Sequence, residues 1–306
     1  MKTLDRYIDP FTDFGFKRLF GSESNKELLT DFLNQLLKGK KLITRLTYAK
    51  NEHAGLTAEK RKAVFDLYCR NENGERFIIE LQKVKQQYFR DRSLYYATFP
   101  IQEQAPAGEN WDYRQEEIYT IGIMDFTFHD TEDNAFLHEV KLMNTRTKTV
   151  FYDKLTFLYV EMPKFNKTAE ELKSGSDKWL YLLKHLRTFR EIPLILQERI
   201  FKKVFTVAET SKLNQKDMDA YIASMKDKWD WNNALDYAKK EAAREGAKEG
   251  IREGIRKGIQ KGIREGIQKG MQEGVRKGER QGQRKKSLEI ARKMKKENIP
   301  TELIRK

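Results

Sequence analysis

The sequence predicts an α/β body, a helical layer that completes it and a basic C-terminal tail. Three observations lead to this fold class. An apolar stripe at helical spacing runs through residues 25–37, and two alternating segments flank an Asn-Gly turn at 73–74. Glycine then recurs at every fourth position from 246 to 282. A chain of 306 residues is long enough for one such core and a second element.

The first elements are a helix, a strand and a hairpin. The helix is predicted at 25–37, because its leucines and Phe32 fall on one face of a 3.6-residue period. A strand is expected near 42–48. The hairpin follows at 63–70 and 76–83, where Asn-Gly is the strongest short turn signal between two alternating strands.

The later elements are a second helix, two further strands and a helical layer. The helix is predicted over 87–104, bent or ended by Pro100. The strands lie at 117–126 and 151–160. From 168 to 231 leucine and aromatic residues follow a helical pattern, which predicts a layer that finishes the globular body.

The predicted hairpin places two carboxylates opposite each other. Facing positions of an antiparallel pair lie at equal distances in sequence from the turn. Asp66 and Glu80 are each seven residues from residue 73 in the turn, so they are expected to face each other. Their Cβ atoms are then about 4.5–5.5 Å apart. Gln82 lies on the same face as Glu80 because strand side chains alternate. Two carboxylates this close repel, and a hard divalent metal with oxygen ligands is a natural occupant.

The alternative is that both carboxylates are solvated on an exposed sheet face. The flanking residues argue against it. The opposite face is expected to carry an apolar set: Phe65, Leu67, Phe77, Ile79 and Leu81. Val64, Tyr68 and Ile78 are expected to accompany the carboxylates on their own face. Both faces are therefore predicted to be buried, and a buried carboxylate needs a proton, a partner or a metal.

The numbers of cysteines and histidines and the distribution of apolar residues exclude several kinds of metal site and several classes of protein. The single cysteine, Cys69, excludes a disulfide framework and a cysteine-rich zinc site. The four histidines show no metal-ligand spacing. The N-terminal segment lacks the apolar region of a signal peptide, and no stretch approaches the roughly 20 apolar residues of a membrane span. We expect a soluble, cytoplasmic protein with no membrane partner.

Positive charge is concentrated in the tail. Residues 239–306 carry 22 Lys and Arg against 10 Glu, which is +12 of the net +14. The ten tail glycines, at every fourth position of 246–282, cost a helix on the order of 8–10 kcal/mol relative to alanine. Three interpretations stay open: a flexible charged tether, a helix that forms a homo-oligomer, and nonspecific contact with DNA phosphates. A short separate helix is expected at 287–298.

Several motifs together resemble one known family. They run in order through the chain: Asp13-Phe14-Gly15-Phe16-Lys17-Arg18-Leu19-Phe20-Gly21, then Asp66, Glu80-Leu81-Gln82, Arg92 with Tyr95-Tyr96, Glu161-Met162-Pro163-Lys164-Phe165, 221–232 and the glycine tail. In this set the sequence resembles the PD-(D/E)XK nuclease family transposases, or recombination-promoting nucleases. The resemblance implies an α/β fold with a restriction-endonuclease-like PD-(D/E)XK core (αβββαβ), to which the helical layer and a C-terminal glycine-repeat helical tail are added. The domains are then a nuclease core at 1–165, its helical completion at 166–238 and the tail at 239–306.

The resemblance also implies roles for the hairpin residues. Asp66 stands at the family's metal-binding aspartate, and Glu80 stands at the acidic position of the (D/E)xK element. Gln82 replaces the lysine of that element, and E-x-Q is a common form within the family. Lys62 shares the predicted strand face of Asp66 and is the candidate for the missing cation. Lys83 is expected to point to the opposite face.

Other residues are candidates for supporting the site. Arg92 is expected either to contact phosphate or to form a salt bridge with Asp91 or Glu103. Asp13 and Lys17 are expected to be mainly structural, with the site as their alternative, and Glu52 is a candidate additional acidic ligand.

Two functions remain open at the level of sequence. The first is a metal-dependent DNA endonuclease, using Mg²⁺ or else Mn²⁺ or Ca²⁺, that hydrolyses phosphodiester bonds in DNA recombination, mobile elements or phage defence. The second is a catalytically silent DNA-binding or assembly protein that keeps the nuclease fold. The intact set of Asp66, Glu80 and Gln82 favours the first, because a silent copy is free to lose its acidic residues.

Overall fold

The computed structural model describes residues 5–53, 63–105, 112–128 and 134–297. The helices and strands of these ranges are α1 (Asp13–Phe20), α2 (Lys26–Leu36), β1 (Leu46–Tyr48), β2 (Glu52–His53), β3 (Ala63–Val64), β4 (Leu67–Asn71), β5 (Arg76–Gln82), α3 (Phe89–Gln102), β6 (Ile118–Met124), β7 (Leu137–Asn144), β8 (Thr149–Glu161), α4 (Gly175–His185), α5 (Arg199–Ala208) and α6 (Gln215–Lys296). Short 3-10 turns join several of them.

Six strands form one mixed sheet in the order β1-β4-β5-β6-β8-β7. The strands β1, β4 and β5 are antiparallel neighbours, whereas β6 and β8 run parallel to β5. The edge strand β7 is antiparallel to β8. Because β5, β6 and β8 run in the same direction, their C-terminal ends meet at one edge of the sheet, where Glu80 and Gln82 lie.

Helices cover both faces of this sheet. On one face the apolar side chains of α1, α2, α4 and α5 form a single core with β4, β5, β6 and β8 around the fully buried Trp179. On the other face α3 packs through Phe89, Ala97 and Phe99. All seven residues of β5 are buried. A strand that is covered on both faces usually consists almost entirely of apolar residues. In β5 the exceptions are Arg76 and Gln82 at its ends and Glu80.

The hairpin register is the one that the sequence predicts. Leu67 pairs with Ile79 and Tyr68 pairs with Ile78, so the pairing is symmetric about residue 73 as predicted. Continued by one residue, this register places Asp66 beside Glu80. The first predicted strand is however broken, because the chain leaves the ladder at Phe65 and Asp66 between β3 and β4. The Phe65 amide donates to the carbonyl of Asn51 (2.9 Å).

This break corrects two of the predicted side-chain directions. Phe65 was expected on the face of Leu67, yet it packs with Tyr68, Tyr96 and Phe99 beneath α3. Val64 was expected to be buried with the carboxylates and is instead 59% exposed. The physical reason is that strand alternation holds only while the ladder is continuous, and it restarts at Leu67.

Other element boundaries also differ from the sequence prediction. The strand expected from residue 42 begins at Leu46, and the predicted helix over 87–104 spans Phe89–Gln102, with Pro100 in its last turn. The helix α1 and the strand β7 are not predicted by the sequence pattern. Of these, β7 has an almost wholly exposed side-chain pattern, so it lacks the alternation by which strands are recognised.

The chain divides into two compact units, Met1–Asp230 and Trp231–Lys306. The helix α6 begins in the first unit and continues without a break to Lys296, so the separate short helix expected at 287–298 is wrong over its described part. No proline interrupts residues 231–296, and the residues between the tail glycines are mostly good helix formers. None of the helices in the described ranges has the length and apolar content needed to cross a membrane.

Candidate active site

Asp66 and Glu80 are locked together by the backbone of the hairpin. The Asp66 amide donates to Glu80 Oε1 (3.2 Å), and the Leu81 amide donates to Asp66 Oδ2 (2.7 Å). The break between β3 and β4 makes this possible, because it frees the Asp66 amide from the strand ladder. No described residue donates to Asp66 Oδ1 in hydrogen-bond geometry. One carboxylate oxygen is therefore left available to a ligand.

Gln82 extends the pair along the same face of β5. Its side-chain Nε2 donates to Glu80 Oε2 (3.1 Å), which leaves the amide oxygen Oε1 as an acceptor. Both Glu80 and Gln82 are buried, at 6% and 8% exposure. The three side chains therefore present carboxylate and amide oxygens from the C-terminal edge of the sheet.

Arg92 of α3 lies against this group. Its Nη2 is 3.8 Å from Glu80 Oε2, and its Nη1 donates to Gln86 Oε1 (2.7 Å). The guanidinium carbon lies 5.5 Å from the ring centre of Tyr96. Within the described ranges Arg92 pairs with Glu80 and forms neither of the alternative salt bridges, to Asp91 or to Glu103. Buried Nη2 forms no hydrogen bond within the described ranges, so it keeps a donor for an anion near Glu80.

Burial sets the protonation of the two carboxyls. It is the largest cause that raises the pKa of Glu80, and the charge of Asp66 adds to it. Burial also raises the pKa of Asp66, although the hydrogen bond from the Leu81 amide opposes the rise. Without a cation the pair therefore holds a proton more tightly than ordinary carboxylates do, because two buried negative charges at contact distance repel.

A cavity of about 220 Å³ opens beside Asp66. Its walls come from α1, from the end of β5 and from the segment that follows: Asp13, Phe16, Asp66, Leu81, Gln82, Lys83, Val84 and Gln86. Asp13 reaches it because Thr12 caps α1 and fixes the start of that helix, with its hydroxyl accepting from the Gly15 amide (3.0 Å). The negative charge of Asp13 further raises the pKa of Asp66.

Lys83 is the functional candidate that sequence reasoning set aside. It was expected on the face opposite Glu80, and it lines the cavity with Phe16 and Leu81 of that side as well as with Asp66 and Gln82, whereas Glu80 does not line the cavity. Lys83 follows directly after the end of β5 at Gln82. Burial lowers the pKa of Lys83, and the nearby charge of Asp13 opposes that effect. Its ammonium forms no ion pair with any residue of the described ranges. The feature of the sequence that could have indicated this role is the position of Lys83 directly after the predicted strand residues Glu80 and Gln82.

Three further residues were candidates for supporting the site: Lys17, Glu52 and Lys62. Lys17 forms an ion pair with Asp13 (2.8 Å), and its positive charge lowers the pKa of Asp66. Glu52 lies on β2 opposite Val64 and is exposed, and it is not among the residues that line the cavity. Lys62 lies outside the described residues.

The oxygen donors fit a hard divalent cation. Asp66 and Glu80 supply two carboxylates, and Gln82 supplies an amide oxygen, which are the ligand types that Mg²⁺, Mn²⁺ and Ca²⁺ take. The unused Asp66 Oδ1 and the raised pKa values point to the same need for a positive charge. Within the described ranges no three Asp, Glu, His or Cys side chains converge as a metal cluster.

Comparison with known proteins decides the family. A family model described as PD-(D/E)XK nuclease family transposase matches residues 10–238. The chain belongs to this family. The match includes Asp66, Glu80 and Gln82, and membership indicates a nuclease related to transposition that acts on DNA. Nucleases of the PD-(D/E)XK family generally use divalent metals. Searches of curated proteins and of solved structures find no match.

Proposed function

We propose that this PD-(D/E)XK family protein is a divalent-metal-dependent DNA endonuclease that acts in the cytoplasm in DNA recombination, mobile elements or phage defence. The observation that carries the proposal is the buried Asp66–Glu80 pair, which opens on a cavity lined by Gln82 and Lys83. A buried acidic pair costs stability, so its retention in a folded core indicates use. We take Mg²⁺ as the cation, with Mn²⁺ or Ca²⁺ as substitutes.

The side chains have separate tasks in the hydrolysis of a phosphodiester. Asp66 and Glu80 would hold the cation through their carboxylate oxygens. When bound there, the cation polarises the phosphate and lowers the pKa of a bound water. Gln82 Oε1 accepts a hydrogen bond from the attacking water and orients it toward phosphorus. The water oxygen bonds to phosphorus as the bond to the 3′-oxygen breaks; the water loses one proton to solvent, and the leaving 3′-oxygen takes up one proton from solvent.

Lys83 supplies the positive charge that Gln82 does not. Negative charge grows on the non-bridging phosphate oxygens during the reaction, and a preorganised cation stabilises it most where water is excluded. Lys83 is half-buried at the cavity wall and has no ion-pair partner within the described ranges. Arg92 holds Glu80 from the other side and keeps one unused donor for a phosphate oxygen.

The test is cleavage of supercoiled plasmid with and without Mg²⁺. The wild-type protein should nick or linearise the plasmid only with the metal. Asp66→Ala and Glu80→Ala should each lower the rate by at least about 10³-fold. Gln82→Ala should lower it less, since it removes one hydrogen bond to the water and no charge.

Glu72→Gln is the matched control in the same hairpin, because Glu72 lies in the turn and bonds to Thr44 and the Arg45 amide, away from the cavity. It should cut at the wild-type rate. Cleavage by Glu80→Ala at the wild-type rate would exclude this hairpin as the active site. DNA binding without cleavage by the wild-type protein would instead support the catalytically silent alternative.

We further propose that the tail makes the protein a homo-oligomer. Seven apolar residues at four-residue spacing line α6, each 57–68% exposed: Ile251, Ile255, Ile259, Ile263, Ile267, Met271 and Val275. A Cβ added at any of the neighbouring glycines meets no atom within 4 Å in the described structure, so a second backbone has room to approach. The period of four exceeds 3.6 and favours right-handed winding of such helices.

A further inference from the structure

The strands β7 and β8 extend past the rest of the sheet as a two-stranded ribbon. β8 pairs with β6 only from Leu155 onward, so its earlier residues pair with β7 alone. Residues 142–151 are exposed without interruption. We call residues 140–152 the ribbon. It stands apart from both apolar cores except at Tyr152, and its shape therefore does not come from burial.

The tip of the ribbon is nevertheless ordered by its own hydrogen bonds. Asn144 organises it: its carbonyl accepts from the Lys148 amide (2.8 Å), and its Oδ1 accepts from the amides of Arg146 (3.0 Å) and Thr147 (3.2 Å). Lys148 closes the turn with a φ of 59°, a left-handed conformation that costs a non-glycine residue. The turn thus presents Arg146 and Lys148 outward in a fixed arrangement.

The ribbon is basic and has no acidic residue. It carries Lys141, Arg146 and Lys148 and no Asp or Glu, while Glu139 and Asp153 directly flank it. Lys141 is 3.4 Å from Glu139. The side chains of Arg146 and Lys148 form no ion pair or hydrogen bond with any residue in the described ranges. Two cations on an ordered turn are therefore free to meet an anionic partner.

Exposed apolar side chains flank these cations. Phe151 is 80% exposed and Met143 is 49% exposed. An exposed aromatic beside unpaired Arg and Lys matches nucleic acid, which offers phosphate to the cations and base edges and sugars to the ring. A second copy of the chain fits worse, because it would bring the same three positive charges to the contact.

We propose that the ribbon is a DNA-binding element that enters a groove of the duplex, with Arg146 and Lys148 on phosphates and Phe151 against the groove floor. The major groove is about 12 Å wide and admits a two-stranded β-ribbon. This inference rests on the proposed function, since it takes double-stranded DNA as the substrate. It adds a contact surface distinct from the cavity at Asp66.

The strand registers give the distance between ribbon and active site. Glu80 is level with Gly122, which is level with Tyr159 of β8. β7 takes only six residues from His138, which pairs with Tyr159, to Asn144 at the turn, because β8 bulges over this stretch. At about 3.4 Å per residue the distance is roughly 20 Å. That is the length of about six base pairs at 3.4 Å each. A duplex that lies along the strands therefore contacts both points only if it extends at least about six base pairs from the cut.

The experiment measures binding of a fluorescent duplex of about 30 base pairs by anisotropy, in EDTA and over a range of salt. The test variant is Arg146→Ala/Lys148→Ala. The matched control is Lys202→Ala/Lys216→Ala, which removes the same charge from two exposed lysines of α5 and α6. The slope of log affinity against log salt should flatten by about 2 in the ribbon variant and by clearly less in the control, with a several-fold larger loss of affinity near 0.15 M salt.

Phe151→Ala keeps the charge, so it should weaken binding with an unchanged salt slope. Equal losses in the two double variants, or wild-type binding by the ribbon variant, would overturn the proposal. A ribbon variant that binds DNA normally but changes its mass in light scattering assigns the ribbon to a protein contact instead.

These outcomes are separable from a failure of the nuclease proposal. Binding is recorded without a divalent metal and therefore does not require catalysis. A wild-type protein that binds the duplex through the ribbon but never cuts plasmid with Mg²⁺ refutes only the nuclease. A wild-type protein that cuts plasmid while the ribbon variant matches it in binding and salt slope refutes only the ribbon.

Discussion

Replacing Glu80 by glutamine should stabilise the metal-free protein at neutral and alkaline pH. Glu80→Gln keeps the size of the side chain and an oxygen that can accept from the Asp66 amide, but it removes one of two buried negative charges. The ordinary expectation for a buried, hydrogen-bonded glutamate is the opposite, because losing a partner is costly. The sign of the effect therefore reports whether the two carboxylates repel.

The magnitude follows from the pKa of Glu80, which burial and the charge of Asp66 raise from 4.5 to about 8. A carboxyl whose folded pKa exceeds its unfolded pKa binds its proton more tightly in the folded state. Stability is then lost as pH rises from the unfolded to the folded pKa. At 1.36 kcal/mol for each pH unit, the wild type should lose on the order of 3 kcal/mol between pH 5 and pH 8 through this residue. Glu80→Gln should lose far less.

Urea unfolding in EDTA at pH 5, 6.5 and 8 measures this difference. His185, whose pKa burial lowers, contributes the opposite pH dependence, but it does so in both proteins and cancels in the comparison. Glu75→Gln is the matched control: Glu75 is a buried glutamate of the same hairpin, paired with the Lys41 ammonium at 2.5 Å. It should lower stability at every pH. A Glu80→Gln protein that is less stable than wild type at pH 8, or that keeps its pH slope, would refute repulsion between the carboxylates.

Three further predictions concern the cavity and the tail. Lys83→Gln should lower plasmid cleavage about 10²–10³-fold while Mn²⁺ binding persists, and Lys83→Arg should restore part of the rate; an unaffected rate removes Lys83 from catalysis. Deleting residues 246–306, which hold 19 Lys and Arg against 8 Glu, should give a smaller species in light scattering and weaker, less salt-dependent DNA binding. A monomeric full-length protein would contradict the assembly role. The double substitution Gly258→Ala with Gly262→Ala should add about 1 kcal/mol of helix stability per site, which circular dichroism measures. It should also weaken self-association, which light scattering measures, because the added methyl groups keep a second backbone away. Tighter association would show that no backbone approaches these glycines.

The hairpin was predictable because its information is local. The Asn-Gly turn and the alternating apolar residues specify the register, and a slip of one residue would turn every buried side chain outward. The pairing of Asp66 with Glu80 follows from that register. The break at Phe65 was not predictable in the same way, since it depends on a hydrogen bond to Asn51, which is distant in sequence.

The cavity was less accessible to sequence reasoning because its walls come from distant elements. Asp13 reaches it through the packing of α1, and Lys83 lines it from the position directly after β5. Neither fact has a periodic signature. The ribbon was missed for a related reason: exposed strands carry no apolar alternation, and hydrogen bonds around Asn144 rather than burial hold its tip.

The most direct test is a calorimetric titration of Mn²⁺ into the wild-type protein and into Asp66→Ala, in two buffers of different ionisation enthalpy near pH 7. Because both carboxyls hold their protons more tightly than usual, cation binding between them should displace protons, and the measured heat should depend on the buffer. We predict proton-coupled Mn²⁺ binding by the wild type and its loss in Asp66→Ala. Equal Mn²⁺ binding by the two proteins would place the cation elsewhere and contradict a metal centre at Asp66 and Glu80.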